Sequence, residues 1–194
     1  MPSWIYYNKD REIWTGRRDD RPWRYRVKRE TTCCFTGHRP DKLPWRDDEG
    51  DPRCLDLKRR LAEALDDAYG RGYRHFLCGM ALGCDLYFCE AALDLRARRP
   101  GVTLEAAIPC EEQCARWRER DRNRYFTLVG ECDLETMVQH RYTAGCMQRR
   151  DRYMVDRSSL LLAAYDGMSL GGTMYTLTYA LRQGLETVIL DIEP

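Results

Sequence analysis

The stretch that decides the fold is LLLAAYDGMSLGGTMYTLTYALRQGLETVILDI, residues 160–192. Leu160 to Tyr165 is apolar without alternation, the pattern of a strand buried on both faces. Asp166-Gly167 ends it. Thr173 to Arg182 then reads as a helix, stopped by Gly184, and Thr187 to Ile192 as another strand. A buried strand, a glycine-rich turn, a helix and a strand make one βαβ unit, and βαβ units build parallel sheets.

The same rhythm runs back toward the N-terminus. Thr31–Phe35 is a short β-prone run. Leu57, Leu61, Leu65 and Ala68 recur at helical spacing until Gly70 and Gly72. Tyr73–Cys78 is a strand and Asp85–Arg98 a helix apolar on most faces. Val102–Ile108 is a strand closed by Pro109. Glu111–Val129 reads as one amphipathic helix, with Cys114, Trp117, Tyr125 and Leu128 on one side. Leu134–Val138 is a weaker strand, and Thr143–Asp156 is helical. Strand and helix alternate about six times. The expected fold is α/β: a Rossmann-like, doubly wound, mostly parallel sheet of about six strands with helices on both faces, over residues 31–194.

In such sheets the ligand lies beyond the carboxyl ends of the strands, so the loops there carry the functional reading. The first is Thr36-Gly37-His38-Arg39-Pro40. Its glycine lets backbone approach a ligand, and Thr and Arg can bond phosphate or carboxylate; a plain strand-ending turn reads equally well. The second is Gly79-Met80-Ala81-Leu82-Gly83-Cys84-Asp85, which feeds a helix N-terminus, where free N–H groups favour an anion. It is neither GxGxxG nor a P-loop. Asp85 has two readings, a helix cap or a ligand for a ribose hydroxyl, and capping is the commoner use. The third is Asp166-Gly167-Met168-Ser169-Leu170-Gly171-Gly172-Thr173. Paired glycines and a threonine at a helix start suit a phosphate cradle, set against a flexible loop capped by Thr173.

Arg149 and Arg150 could complete such a pocket, one of them facing solvent. Arg116, Arg118, Arg120, Arg122 and Arg124 interleave with Glu119 and Asp121 and read as a solvated face with ion pairs. His38, His75 and His140 are far apart in sequence, and His75 inside a strand reads as structural. No nucleophile motif is present. Cys110 and Cys114, spaced one helical turn apart, lack a second pair, so no metal is expected. No cofactor is expected either.

Composition narrows the partners. The chain has 194 residues, 32 basic and 31 acidic, for a net charge of +1. Only Lys9, Lys28, Lys42 and Lys58 among the bases are lysine. Such balance argues against a polyanion coating the whole surface. Residues 1–30 stand apart as a basic aromatic extension, with nine basic residues against five acidic, and with Trp4, Tyr6, Tyr7, Trp14, Trp23 and Tyr25. That leaves −3 for residues 31–194. The extension could stack on single-stranded nucleic acid, but packing on the domain or a partner subunit is the better reading. The ten cysteines are scattered and often sit inside apolar runs, as Cys33, Cys34, Cys78 and Cys89 do, in the manner of small hydrophobes, and the N-terminus has no secretory pattern. With no apolar run long enough to span a bilayer, the expectation is a reduced, cytoplasmic protein with no membrane partner.

The segments CCFTGHRPDKLPW (33–45), FLCGMALGCDLYFCEAAL (76–93), AIPC…W (107–117) and RRDRYMVDRSSLLLAAYDGMSLGGTMYTLTYA (149–180) occur in that order. Together they resemble the YpsA-like family (DUF1273) of the SLOG superfamily, which also holds the DNA-processing protein DprA and the cytokinin-activating LOG proteins. The resemblance covers nearly all of residues 31–192 and none of 1–30. It implies a Rossmann-like fold that binds a nucleotide or nucleotide-derived ligand, as a sensor in bacterial stress, phage-conflict or cell-division settings. Matched by position, it implies ligand loops at Gly37, His38 and Arg39, at Gly79, Gly83 and Asp85, and at Gly171, Gly172 and Thr173, with Arg149 or Arg150 near the phosphate. It also implies self-association as a homodimer.

One departure matters. LOG hydrolases carry P-G-G-x-G-T-x-x-E, whose glutamate serves N-glycosidic cleavage. Here the segment is LGGTMYT (170–176), with Thr176 at the glutamate position. Glycoside cleavage needs a carboxylate, and only Asp85 or Asp166 could substitute. The binding function therefore leads. A phosphoribohydrolase or N-glycosidase acting on a nucleotide is the first alternative, and DprA-like binding of single-stranded DNA the second.

Overall fold

The computed structural model describes residues 27–192. Residues 1–26 of the aromatic extension lie outside the described residues. A single turn of 3-10 helix, Arg29–Thr31, leads into the sheet.

Six strands make one sheet: β1 (Thr32–Gly37), β2 (His75–Cys78), β3 (Thr103–Ile108), β4 (Leu134–Met137), β5 (Leu160–Tyr165) and β6 (Glu186–Asp191). All five pairings are parallel, in the order β4-β3-β2-β1-β5-β6. The helices are α1 (Pro52–Gly70), α2 (Cys84–Arg98), α3 (Glu119–Glu131), α4 (Cys146–Asp156) and α5 (Gly172–Arg182). The expected doubly wound α/β fold is the observed one.

Side chains alternate across the sheet and fill two cores. Cys33, Phe35, Phe76, Leu160 and Leu162 point toward α1 to α3. Cys34, Leu77, Leu161, Ala163 and Tyr165 point toward α4 and α5. This is why β1, β2 and β5 carry no alternation: both faces are covered. Phe35 of β1 stacks on Phe88 of α2 with ring centroids 4.6 Å apart.

Two expectations need correction. The helix predicted over Glu111–Val129 is two pieces, a 3-10 turn at Glu111–Cys114 and α3 from Glu119. Arg118 between them is extended (ψ 151°), which lets Glu119 and Asp121 fill the first turn of α3, where acids suit the dipole. Cys110 is also extended, so it and Cys114 are not one helical turn apart. Likewise α4 begins at Cys146, not Thr143, because Gly145 precedes it in the left-handed conformation (φ 84°).

The strand order opens a crevice at one place in the sheet. The chain winds from β1 out to β4, returns past β1 to β5, and ends at β6. The reversal lies between β1 and β5, and the loops leaving them diverge there into a crevice.

Candidate functional site

A cavity of about 140 Å³ opens at this crevice. Its wall includes Thr36, Gly37, His38 and Arg39 from the end of β1, Ala81 and Asp85 after β2, Arg150 and Asp151 of α4, and Gly172 and Thr173 of α5. All three glycine-bearing segments and one of the two arginines therefore meet. A second, open groove of about 460 Å³ adjoins it and shares Arg39 and Asp41. Arg46, Leu82, Arg116, Trp117 and Arg118 line that groove.

The glycines divide by what surrounds them. A Cβ on Gly37 would fall 2.4 Å from Cys84 Cβ, so this glycine, the last residue of β1, lets α2 pack against the strand end. A Cβ on Gly79 would meet the Arg150 guanidinium, and one on Gly83 the His38 carbonyl. These three admit the protein's own groups rather than a ligand. Gly171 (φ 120°) lies under Lys42 Nζ. Gly172 has open space where its Cβ would be, directly at the N-terminus of α5. Gly167 (φ 78°) turns the exposed loop after β5.

Met80 has φ 55°, a left-handed backbone that a side-chain-bearing residue adopts only under constraint. The constraint is visible. Its N–H faces Cys78 Sγ at 3.5 Å, and Gln113 Nε2 donates to its carbonyl.

Asp85 is not the cap of α2; that position is Gly83. The Asp85 carboxylate instead accepts from the Ala81 N–H at 3.0 Å and closes the loop on itself. Arg150 lies 4.0 Å away and pairs with Asp151 at 2.8 Å, and all three side chains are buried. Burial pushes the Asp85 carboxyl up to about 6, against the pull of Arg150 and the Ala81 N–H. One arginine flanked by two carboxylates makes a buried cluster at the cavity floor. Arg149 is exposed and donates to Gln139 Oε1, so the structure brings only Arg150 to the cavity.

His38 is buried between two loops. Its Nδ1 lies 3.2 Å from Thr173 Oγ1, and its Nε2 lies 2.8 Å from Asp166 Oδ1. Residues from the ends of β1 and β5 and the start of α5 are thus tied across the crevice. Burial raises the Asp166 carboxyl, but the Met168 N–H and His38 outweigh it and hold it below its ordinary range. Thr176, at the LOG glutamate position, is buried and donates to the Gly172 carbonyl at 3.0 Å.

Sequence reasoning missed Lys42, whose Nζ reaches across the crevice to the Leu170 carbonyl at 3.4 Å. Its signal was rarity, one lysine of four among the basic residues. It also missed Asp151, legible as the acid next to Arg150. Arg124 departs from its reading as part of a solvated face: it is half-buried and bridges Glu90 and Glu49. His75 is structural as read, bonded to Thr103 Oγ1 at 2.9 Å and Glu105 Oε2 at 3.0 Å. Among the described residues no cluster of His, Cys, Asp and Glu could hold a metal ion, and no helix is long and apolar enough to cross a membrane.

The model of the YpsA proteins, described as the YspA SLOG family, matches residues 33–189. The chain belongs to this family. The matched span runs from β1 into β6 and takes in every element that walls the cavity. Family relatives include UPF0398 protein YpsA of Bacillus subtilis (strain 168), 29% identical over 123 residues, 62% of this chain and 66% of that protein. Another is the uncharacterized SPbeta prophage-derived protein YoqJ of the same strain, 26% identical over 156 residues, 74% of this chain and 91% of YoqJ. The chain thus spans just under two thirds of B. subtilis YpsA.

Among solved structures, DprA from Streptococcus pneumoniae matches with a TM-score of 0.53 at 12% identity, covering 82% of this chain and 50% of that one. DprA from Helicobacter pylori, solved for its single-stranded DNA binding mode, matches with a TM-score of 0.54 at 15% identity, covering 81% and 64%. At such identities the likeness is one of fold.

Proposed function

We propose that this protein binds a nucleotide-derived small molecule at the β1/β5 crevice, with a phosphate at the N-terminus of α5. The observation that carries the reading is the open space over Gly172. The first N–H groups of a helix have no intrahelical partner and attract anions. Here that helix start forms part of the wall of a cavity that also contains Arg150 and Lys42.

The sizes of the two spaces support a division of the ligand between them. A cavity of about 140 Å³ takes a phosphate and little more, below the range of about 300–1,000 Å³ usual for whole ligands. The adjoining groove of about 460 Å³ has room for the nucleoside, and Trp117 among its lining residues is an aromatic partner for the base. Arg39 lines both spaces and would sit between phosphate and sugar.

A thermal-shift screen against nucleotides, nucleotide sugars, ADP-ribose and cyclic dinucleotides tests this. A true ligand at a hundredfold excess over Kd stabilises by about 2.7 kcal/mol. No shift from any of them would overturn the reading.

A second reading is single-stranded nucleic acid along the groove, supported by Arg39, Arg46, Arg116 and Arg118 beside Trp117 and by the fold shared with H. pylori DprA. Asp41, Asp47 and Asp121 line the same groove and offset most of that charge, so it ranks below the small ligand. Its mark would be affinity that falls steeply with salt. A glycosidase reading has less support. Asp85 is committed to Ala81 and Arg150, and Asp166 to His38 and Met168.

A further inference from the structure

We propose that Thr173, His38 and Asp166 form a hydroxyl–imidazole–carboxylate relay, which makes Thr173 Oγ1 a nucleophile toward a phosphate ester or anhydride of the bound ligand. The inference rests on reading the cavity as a ligand site and adds a reaction to it.

The geometry is a chain of three groups. Thr173 Oγ1 is 3.2 Å from His38 Nδ1, and His38 Nε2 is 2.8 Å from Asp166 Oδ1. An ionised carboxylate only accepts, so this 2.8 Å contact calls for the imidazole proton on Nε2, whose N–H lies off the line to Asp166 in this structure and turns onto it as the relay engages. The Nδ1 lone pair is then left to take the proton of Thr173 Oγ1. This is the arrangement that activates hydroxyl nucleophiles on unrelated folds, recognised by roles rather than by order in the chain. Asp166 is itself held in place by the Met168 N–H at 3.0 Å.

The Thr173 hydroxyl has an unusual partner for a helix. A helical threonine commonly turns its hydroxyl back onto the carbonyl four residues earlier, as Thr176 does onto Gly172. For Thr173 that residue is Ser169, which precedes α5. The hydroxyl faces the imidazole instead. Both His38 and Thr173 contribute to the cavity wall, so a ligand there can touch the nucleophile.

Phosphorus suits the surroundings better than a carbonyl. The α5 N–H groups, Arg150 and Lys42 can share the charge spread over phosphoryl oxygens, which one oxyanion would not need. In the first step Thr173 Oγ1 attacks phosphorus while its proton passes to His38 Nδ1. The bond from phosphorus to the leaving oxygen breaks, and the imidazolium, steadied by Asp166, gives that oxygen the proton. In the second step water attacks the phosphothreonine and gives a proton to His38. The P–Oγ1 bond breaks, and Thr173 takes the proton back. No oxidant or further reactant is required.

An alkyl fluorophosphonate probe tests the nucleophile without a known substrate: Thr173 Oγ1 displaces fluoride, and the proton leaves through His38. The full chain is incubated with the probe, and the adduct is located by peptide mass spectrometry. The expected result is labelling at Thr173, kept in Thr173→Ser and lost in Thr173→Ala. His38→Gln and Asp166→Asn slow labelling by about a hundredfold or more, and Asp166→Glu recovers part of the rate. Melting curves of each variant separate lost chemistry from lost fold, and Thr173→Ser and Asp166→Glu keep the test decisive if the harsher variants unfold. An unlabelled wild type, or equal rates in wild type and folded His38→Gln, overturns the relay. Nucleotide binding without labelling sinks the relay alone, whereas labelling without any nucleotide shift sinks the binding reading alone.

Discussion

Arg150 Nη1 donates to the Gly79 carbonyl, and a Cβ on Gly79 would sit 2.1 Å from that same nitrogen. A buried guanidinium of α4 therefore occupies the space that a side chain after β2 would need. The contact joins the loop after β2 to the helix that precedes β5, across the middle of the sheet. It explains why the residue after Cys78 is glycine, and it couples the cavity floor to both cores.

Gly79→Ala is expected to destabilise the protein by about 1–3 kcal/mol, the usual cost of forcing atoms into a packed interior. The added methyl must displace Arg150 and also meets Asp85 Oδ2 at 2.8 Å. Gly172→Ala is the control, since its Cβ enters open space. Urea unfolding of the two variants measures the contrast, and equal midpoints would refute the packing argument.

The two adjacent arginines should behave oppositely. Arg150→Met strands the buried carboxylates of Asp85 and Asp151 and should cost about 3–5 kcal/mol. Arg149→Met touches an exposed side chain and should stay within about 0.5 kcal/mol. Chemical denaturation of both proteins checks the pair.

Gly172→Leu should leave the ligand-free protein folded, with a melting curve close to wild type. It should also remove the stabilisation that a nucleotide-derived ligand confers. The side chain would occupy the open volume at the start of α5 where the phosphate is placed. Calorimetric titration of wild type and variant with the best hit of the thermal-shift screen reads out the difference.

Two buried carboxylates should drive stability in opposite directions with pH. Burial lifts Asp85 from an ordinary 3.8 to about 6. Between these values the folded state keeps a proton that the unfolded chain has lost, so stability falls as pH rises through the window, by about 3 kcal/mol. Asp85→Asn should abolish that component. Glu105 is the reverse case. Burial raises its carboxyl, but bonds from His75, Tyr153 and Thr136 outweigh this and hold it below 4.5. Its contribution is present above pH 4.5 and is lost as pH falls through the lower folded value. Urea unfolding of wild type, Asp85→Asn and Glu105→Gln across pH 3.5–7 separates the two.

Much of this fold was readable because it rests on local pattern. The apolar run Leu160–Tyr165 is β5 as read, and the leucines at 57, 61 and 65 face the core from α1. The misread boundaries lie where backbone conformation, not hydrophobicity, decides. Nothing in EEQCARWRER announces that Arg118 is extended and splits the helix there.

The site was legible by composition and illegible by contact. Glycine, threonine and arginine after successive strands marked the edge of the sheet at which the cavity opens. Their roles were not marked: half of those six glycines make room for Cys84, Arg150 and the His38 carbonyl. The histidines looked isolated because Thr173 is 135 residues from His38 in the chain and 3.2 Å from it in space.

By itself, then, the sequence determined the class of fold and the edge of the sheet at which the cavity opens, because strand and helix periodicities are local properties of a chain segment. Only the tertiary structure decided that Arg150 rather than Arg149 enters the crevice, that Asp85 braces a loop, and that His38 comes within 3.2 Å of both Thr173 and Asp166. Each depends on which loops the parallel order β4-β3-β2-β1-β5-β6 brings side by side. That order is set by long-range packing of both sheet faces, which no local window of residues contains.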